Sequence, residues 1–149
     1  MPKGFRYYLR VRYAECDAQK VVFNGRYGDY VDLATVEFLR ALGFGSDLSG
    51  VGLDYQLVKQ TVEWKAPARF DQVLELTVAA KRLGNTSFTL ATEFRIAGDD
   101  TVIVTAETVY VLLAAHTMEK ISIPADLRAA LEEGAAGMAT DHAGYLGFR

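Results

Sequence analysis

Residues 15–27 read Glu-Cys-Asp-Ala-Gln-Lys-Val-Val-Phe-Asn-Gly-Arg-Tyr, and they separate a predicted strand from the one long predicted helix. The strand covers residues 5–13, where apolar or aromatic residues alternate with arginines, a period of two that indicates one buried face. The helix covers residues 27–42, with Asn24 and Gly25 at its start. Because apolar residues occupy most of its circumference, we expect this helix to be buried on most sides.

A period of two returns after the helix, which Gly43 and Gly45 end, and it predicts four more strands. A change of phase near Leu57 predicts a bulge in the first of them. Tight-turn sequences at 84–85 and 98–100 predict that the last three are antiparallel neighbours. The four strands lie at residues 53–64, 74–80, 88–96 and 102–112.

The remaining residues complete a single predicted α+β domain over residues 1–149. A short helix is expected at 124–133, and the Gly- and Ala-rich tail 134–149 is expected to be flexible. The elements predict an antiparallel five-stranded sheet, with a meander of four strands, wrapped around one long central helix. One sheet and one helix leave an open strand edge, so we expect at least a homodimer.

The composition of the chain indicates which binding partners and which cellular compartment to expect. The chain has 16 Lys and Arg against 19 Asp and Glu, a net charge of -3, which argues against nucleic acid. No segment approaches the roughly 20 apolar residues that cross a bilayer, so no membrane partner is expected. Cys16 has no second cysteine to pair with, and arginines interrupt the first thirteen residues where a signal peptide is apolar. These features predict the cytoplasm.

Asp17 lies in the most informative segment, close to a helix start. Free N–H groups at a helix N-terminus can hold an oxyanion, and a nearby carboxylate can act as nucleophile or as general base. Asp is also common in turns, so Asp17 can equally be a turn residue. The residues alone leave both interpretations open.

Other polar residues are weaker candidates. Cys16 should point away from the side of Asp17, and no histidine lies near it in sequence. Glu37, on a helix crowded by the sheet, should be satisfied by a hydrogen bond or an ion pair. His116 and His142 have no partners at ligand spacing, so no metal site is expected. Trp64 and Tyr110, at strand spacing, are expected in the core.

The segment from Arg12 to Tyr27 resembles the active-site segment of the 4-hydroxybenzoyl-CoA thioesterase family, most closely its small bacterial acyl-CoA thioesterases. The resemblance rests on Asp17-Ala18-Gln19 followed by Val21-Val22-Phe23. It continues through residues 37–40, 62–68 and 70–71 and covers about the first 115 residues. It implies the hotdog fold, acyl-CoA thioester hydrolysis without a metal or organic cofactor, and a homodimer or homotetramer.

Carried over by position, the family's catalytic aspartate falls on Asp17 and its oxyanion-binding main-chain N–H on Asn24, with Gly25 beside it. Asp32 lies near the position where a second hotdog branch has its catalytic carboxylate, and its alternative is a polar residue at a subunit contact. The expected substrate contacts are Val22, Phe23 and Tyr27 for the acyl group and Lys59 and Arg69 for the nucleotide phosphates.

This chain departs from the resemblance at three positions. Lys20 stands where the family usually has glycine, which reaches backbone angles that lysine resists. Asn24 replaces a frequent His or Tyr, and Thr35 replaces a frequent Arg. The alternative functions are thioester hydrolysis on acyl-carrier protein and noncatalytic acyl binding by a hotdog protein.

Overall fold

The computed structural model describes residues 4–45 and 47–147, which form six strands and two α-helices. Two further short turns are 3-10 helices, at Tyr13–Glu15 and Ser49–Val51. In chain order the elements are β1 Phe5–Arg10, α1 Arg26–Ala41, β2 Leu53–Trp64, β3 Val73–Leu83, β4 Ser87–Ile96, β5 Val102–Ala114, α2 Ala125–Glu133 and β6 Ala139–Asp141. No helix within these described ranges is long and apolar enough to cross a membrane.

The sheet has the strand order β2-β5-β4-β3-β1-β6, and every pairing is antiparallel except that of β6 with β1. The α+β class and the hairpins that join β3 to β4 and β4 to β5 are confirmed. The predicted meander is wrong for β2, which pairs with β5 rather than with β3. Both edges of β3 are already taken by β1 and β4, so the free edge of β5 receives β2.

A register shift between Leu57 and Lys59 confirms the bulge that the change of phase predicts. The core lies between α1 and one face of the sheet, with largely alternate residues of β3, β4 and β5 buried. The buried residues of α1 are Tyr27, Tyr30, Val31, Ala34, Thr35, Phe38 and Leu39. Leu33, on the opposite side of α1, is 42% exposed, so the expected burial on most sides is wrong for the single chain.

Strand β1 is shorter than predicted and ends at Arg10 rather than at Tyr13. The chain turns through the 3-10 helix at Tyr13–Glu15, where the main chain of Arg12 hydrogen-bonds to the Glu15 carboxylate at 2.8 Å. Tyr13 is 69% exposed as a result. The turn directs the chain away from the sheet and toward the start of α1.

The tail contains a sixth strand that the sequence analysis does not predict. β6 pairs in parallel with β1, and the N–H of His142 donates to the carbonyl of Tyr8 at 3.0 Å. Tyr145 stacks on Tyr8 with ring centroids 5.2 Å apart. Six strands among the described residues therefore replace the expected five, because pairing with the β1 edge forms a strand from a segment whose own pattern is weak. The flexibility of the tail 134–149 stays a prediction.

Candidate active site

Asp17 lies in a tight turn between β1 and α1. Its N–H donates to the carbonyl of Val21, its carbonyl accepts from the N–H of Lys20, and both distances are 2.9 Å. One carboxylate oxygen, Oδ1, accepts from the N–H of Gln19 at 2.8 Å. Asp17 therefore does form a turn, while the remainder of its exposed carboxylate faces outward.

Lys20 has a φ of 64°, in the left-handed region that favours glycine. The loop therefore keeps a backbone conformation suited to glycine although its residue is lysine. A lysine at this φ costs local backbone strain.

The start of α1 offers two main-chain donors beside Asp17. Gly25 occupies the N-cap position without a side-chain cap, and the first turn is closed by Arg26 N–H to Phe23 and Tyr27 N–H to Asn24. Within the described ranges, neither the N–H of Asn24 nor that of Gly25 has a hydrogen-bond acceptor. Unpaired N–H groups at a helix N-terminus carry partial positive charge and attract anions.

A cleft of about 280 Å³ brings part of the predicted site together. Asp17 and Asn24 lie in its wall, and Val22 and Tyr27 contribute apolar surface, as expected from the sequence. Tyr27 is fixed by the N–H of Ala68, which donates to its hydroxyl at 3.1 Å. The lining residues are Asp17, Val21, Val22, Asn24, Tyr27, Trp64, Lys65, Ala66 and Pro67.

Three predicted substrate contacts lie outside this cleft. Phe23 is 59% exposed and is not part of the lining. Lys59 lines a separate depression with Lys81 and Arg82. Arg69 is close only through its main chain, which forms a bridge with Val21. Gly25, the N-cap of α1, follows Asn24 in the chain but is not part of the lining.

The end of β2 and the residues after it also line the cleft, which the sequence does not predict. Trp64 is 50% exposed, so the expectation that it belongs to the core is wrong. Its ring stands edge-on to Tyr27 at 6.3 Å, and Lys65 supplies a cation to the same cleft. The available signal is Pro67, which indicates that the strand ends there and that its last residues line a loop.

The remaining carboxylates of α1 have other surroundings. Asp32 is exposed, and partial desolvation together with the charge of Asp29 raises its pKa. Glu37 pairs with Arg40 at 3.3 Å, as predicted. Tyr110 is 3% exposed and its hydroxyl approaches that of Thr35 at 3.4 Å, so its place in the core is confirmed.

Cys16 and the histidines do not form a second site in the described part of the chain. The Sγ of Cys16 points to the carbonyl of Arg12 at 3.6 Å. Burial, and then the charges of Glu15 and Asp17, raise the pKa of its thiol, which disfavours the nucleophilic thiolate. His142 hydrogen-bonds to the hydroxyl of Tyr7 at 2.8 Å. No group of three potential metal ligands occurs among the described residues.

Comparison with known proteins assigns this chain to a family. The family model described as the Thioesterase-like superfamily matches residues 11–131. The chain is 28% identical over 130 residues to the acyl-CoA thioester hydrolase YbgC of Escherichia coli O6:H1, covering 87% of this chain and 96% of that protein.

Two solved structures share the fold. A hypothetical protein from Aquifex aeolicus superposes with a TM-score of 0.78 at 30% identity, covering 85% of this chain and 98% of that one. A gentisyl-coenzyme A thioesterase superposes with a TM-score of 0.75 at 28% identity, again covering 85% of this chain and 98% of that one. These matches confirm the predicted hotdog fold.

The chain belongs to the Thioesterase-like superfamily. It is therefore a thioester hydrolase by class, as the sequence predicts. The matched region ends at residue 131, so β6 and the tail lie beyond it.

Proposed function

We propose that the chain hydrolyses acyl-CoA thioesters to a free acid and CoA, with Asp17 as nucleophile or general base. The observation that carries the proposal is that the Asp17 carboxylate and Asn24, whose N–H has no acceptor among the described residues and which precedes the N-cap of α1, line the same cleft. The activity in the name of the YbgC relative supports acyl-CoA as the substrate class.

In the proposed reaction, the thioester oxygen accepts hydrogen bonds from the N–H groups of Asn24 and Gly25. This polarises the carbonyl and stabilises the oxyanion as it forms. As general base, Asp17 takes a proton from water, hydroxide adds to the carbonyl carbon, the C–S bond breaks, and the departing CoA thiolate takes the proton back from Asp17. As nucleophile, the Asp17 carboxylate adds to the carbonyl carbon, and the C–S bond breaks to give a mixed anhydride and the CoA thiolate. Water then hydrolyses the anhydride to the free acid and regenerates Asp17.

The apolar part of the cleft is the proposed acyl site. Val22, Tyr27 and Trp64 provide an aliphatic and aromatic surface that suits an acyl group of moderate size. Lys65 lies at the same cleft and is the proposed contact for the anionic part of CoA, whereas Lys59 lines a different depression.

A homo-oligomer is part of the proposal. Among the described strands β2 pairs only with β5, which leaves its other edge open. Leu57 and Val58 on β2 are 45% and 55% exposed, an apolar strand edge that a second copy would cover. Sedimentation should therefore give at least a dimer, and a stable monomer at micromolar concentration would contradict this part of the proposal.

Thiol release from a panel of acyl-CoAs tests the activity. The panel should include aliphatic chains of several lengths and aromatic acyl groups. We expect hydrolysis of at least one member by the parent chain, unaffected by chelators and lost in Asp17→Asn. Faster release when the same acyl group is attached to acyl-carrier protein would reassign the substrate, and no release from any thioester would contradict the proposal. The expected compartment is the cytoplasm.

A further inference from the structure

Glu15 is a buried acid two residues before Asp17, and several donors surround its carboxylate. Only 7% of the residue is exposed. Its Oε1 accepts from the N–H of Arg12 and from the hydroxyl of Tyr30, both at 2.8 Å. Its Oε2 accepts from the guanidinium of Arg12 at 2.7 and 3.1 Å. One side chain therefore connects the turn after β1 to the second turn of α1.

The loop between β1 and α1 has two arms, residues 15–17 and residues 21–23, and the main chain of Glu15 joins the first arm to the second. Its carbonyl accepts from the N–H of Phe23 at 3.0 Å. Cys16 then bridges to Val22, and the N–H of Asp17 donates to Val21. Asp17 follows Glu15 on one arm and Asn24 follows Phe23 on the other, so Glu15 lies where the two proposed reacting groups are linked.

We infer that Glu15 is a positioning residue, whose buried carboxylate holds Asp17 and the N–H of Asn24 in register for reaction. This inference rests on the proposed function. Catalysis is sensitive to such placement, because a displacement of about 1 Å can cost roughly a hundredfold in rate. Glu15 does not line the Asp17 cleft and acts through the geometry of the loop.

The negative charge of Glu15 matters for this role. Burial raises its pKa, but the hydrogen bonds from Arg12 and Tyr30 outweigh burial and lower it, so the group is ionised at neutral pH. In Glu15→Gln, one amide oxygen can still accept from Tyr30. The amide nitrogen would face the guanidinium of Arg12. Because both groups are donors, the hydrogen bonds between the two side chains would be lost.

The chain supplies a matched control in a second tyrosine–glutamate pair. The hydroxyl of Tyr8 donates to Glu75 at 2.6 Å, and Tyr8 and Tyr30 are each 1% exposed. This pair joins β1 to β3 and contacts neither the Asp17 turn nor the start of α1. Substitutions in the two pairs remove the same kind of hydrogen bond, from a tyrosine hydroxyl to a glutamate, at different places in the fold.

The experiment compares Glu15→Gln and Tyr30→Phe with Glu75→Gln and Tyr8→Phe, on the best acyl-CoA of the panel. For folded Glu15→Gln we expect kcat to fall about 10- to 100-fold and KM to change less than about threefold. Tyr30→Phe, which leaves the Arg12 contacts, should lower kcat about three- to tenfold, and the two controls should stay within about twofold.

The Asp17→Asn background separates positioning from general structural damage. If Glu15 acts through Asp17, Glu15→Gln should lower the residual rate of Asp17→Asn by less than about threefold, because residues that act as a unit are not additive. A full additive loss there would overturn the inference. If Glu15→Gln does not fold, Tyr30→Phe decides in its place.

Failure of this inference can be told from failure of the proposed function. Near-normal kcat in Tyr30→Phe and in folded Glu15→Gln, with Asp17→Asn inactive, would overturn the role of Glu15 alone. Full turnover in Asp17→Asn would overturn the proposed site and this inference with it.

Discussion

Asp17 and Asp32 are two exposed aspartates on either side of the start of α1, and their surroundings differ in the donors nearby. Asp17 shares a cleft with Asn24, whose N–H has no acceptor in the described ranges. Asp32 lies inside α1, where main-chain N–H groups bond to carbonyls four residues earlier. Near Asp17, free N–H donors can stabilise the negative charge that develops on a substrate carbonyl oxygen while the carboxylate reacts. A carboxylate on the side of a helix has no free main-chain donors beside it.

Asp17 and Asp32 differ also in the elements that lie next to them. Asp32 lies on the side of α1 that looks toward β2, and its charge contributes, after burial, to the raised pKa of Tyr55. Asp29 raises the pKa of Asp32 in turn. Asp32 therefore suits a polar position near the open β2 edge, where the proposed second copy would bind.

The largest expected effect is that of Asp17→Asn on turnover. Asn keeps an oxygen that can accept from the N–H of Gln19, so the turn should fold, but the charge is lost. We expect kcat to fall roughly a hundredfold to ten-thousandfold, the range for a positioned acid–base group. Thiol release under saturating acyl-CoA measures it.

Asp32→Asn is the matched control for this prediction and should retain kcat within about threefold, as most exposed substitutions do. The reverse result, with Asp32→Asn inactive and Asp17→Asn near normal, would make the helix carboxylate the catalyst.

A smaller effect is expected from the cation of the Asp17 cleft. Lys65→Ala should raise KM for acyl-CoA about twofold to fivefold at low salt, because an exposed charge pair contributes about 0.5–1 kcal/mol. The difference should shrink as ionic strength rises. Lys59→Ala is the matched control, since Lys59 lines another depression. A larger KM effect for Lys59→Ala would indicate that a partner subunit brings Lys59 to the site.

Sequence patterns predict the parts of this molecule that local chemistry controls. The bulge near Leu57 and the helix start at Gly25 follow from periodicity and turn residues. Asp17, Asn24 and Tyr27 meet in one cleft because all three lie within eleven residues of chain. For such neighbours, local structure alone determines proximity.

The missed features depend on contacts between distant segments. Trp64 and Lys65 lie about forty residues after Asn24 in the chain, and they line the cleft only because the end of β2, at the sheet edge, lies near the start of α1. β6 is three residues long and has no periodicity to detect, and its pairing with β1 is a tertiary event. The direction of a loop side chain such as that of Phe23 likewise depends on how distant segments pack around it.

A third aspartate, Asp141, also accepts hydrogen bonds from several main-chain N–H groups, but it lies in the tail, away from the Asp17 cleft. The carboxylate of Asp141 accepts from Ala143, Tyr145 and Leu146 at 3.0, 3.1 and 2.7 Å. Partial burial raises its pKa, but these hydrogen bonds outweigh burial and lower it. Its contribution to stability is therefore present above the ordinary value of 3.8 and is lost as pH falls through the lowered value.

Asp141→Ala should lower the free energy of unfolding at neutral pH by about 1–2 kcal/mol, because three N–H groups lose their acceptor. Denaturant titration measures this, and the difference from the parent should fade in acid. Turnover should stay near the parent value. A large loss of kcat in a folded Asp141→Ala chain would show that the tail acts on the site.

The smallest expected effect is that of Lys20→Gly, three residues after Asp17. Lys20 holds a φ of 64°, where a side chain costs about 1 kcal/mol, while glycine loses more backbone freedom on folding and cancels part of the gain. We expect the free energy of unfolding to rise by about 0.5 kcal/mol, with kcat within about twofold, because the loop already has the glycine-like path. Lys81→Gly, in a β3 position without positive φ, is the control and should destabilise. If Lys20→Gly instead changes kcat tenfold at unchanged stability, the lysine side chain itself takes part in catalysis or binding, and the loop departure would have to be reinterpreted.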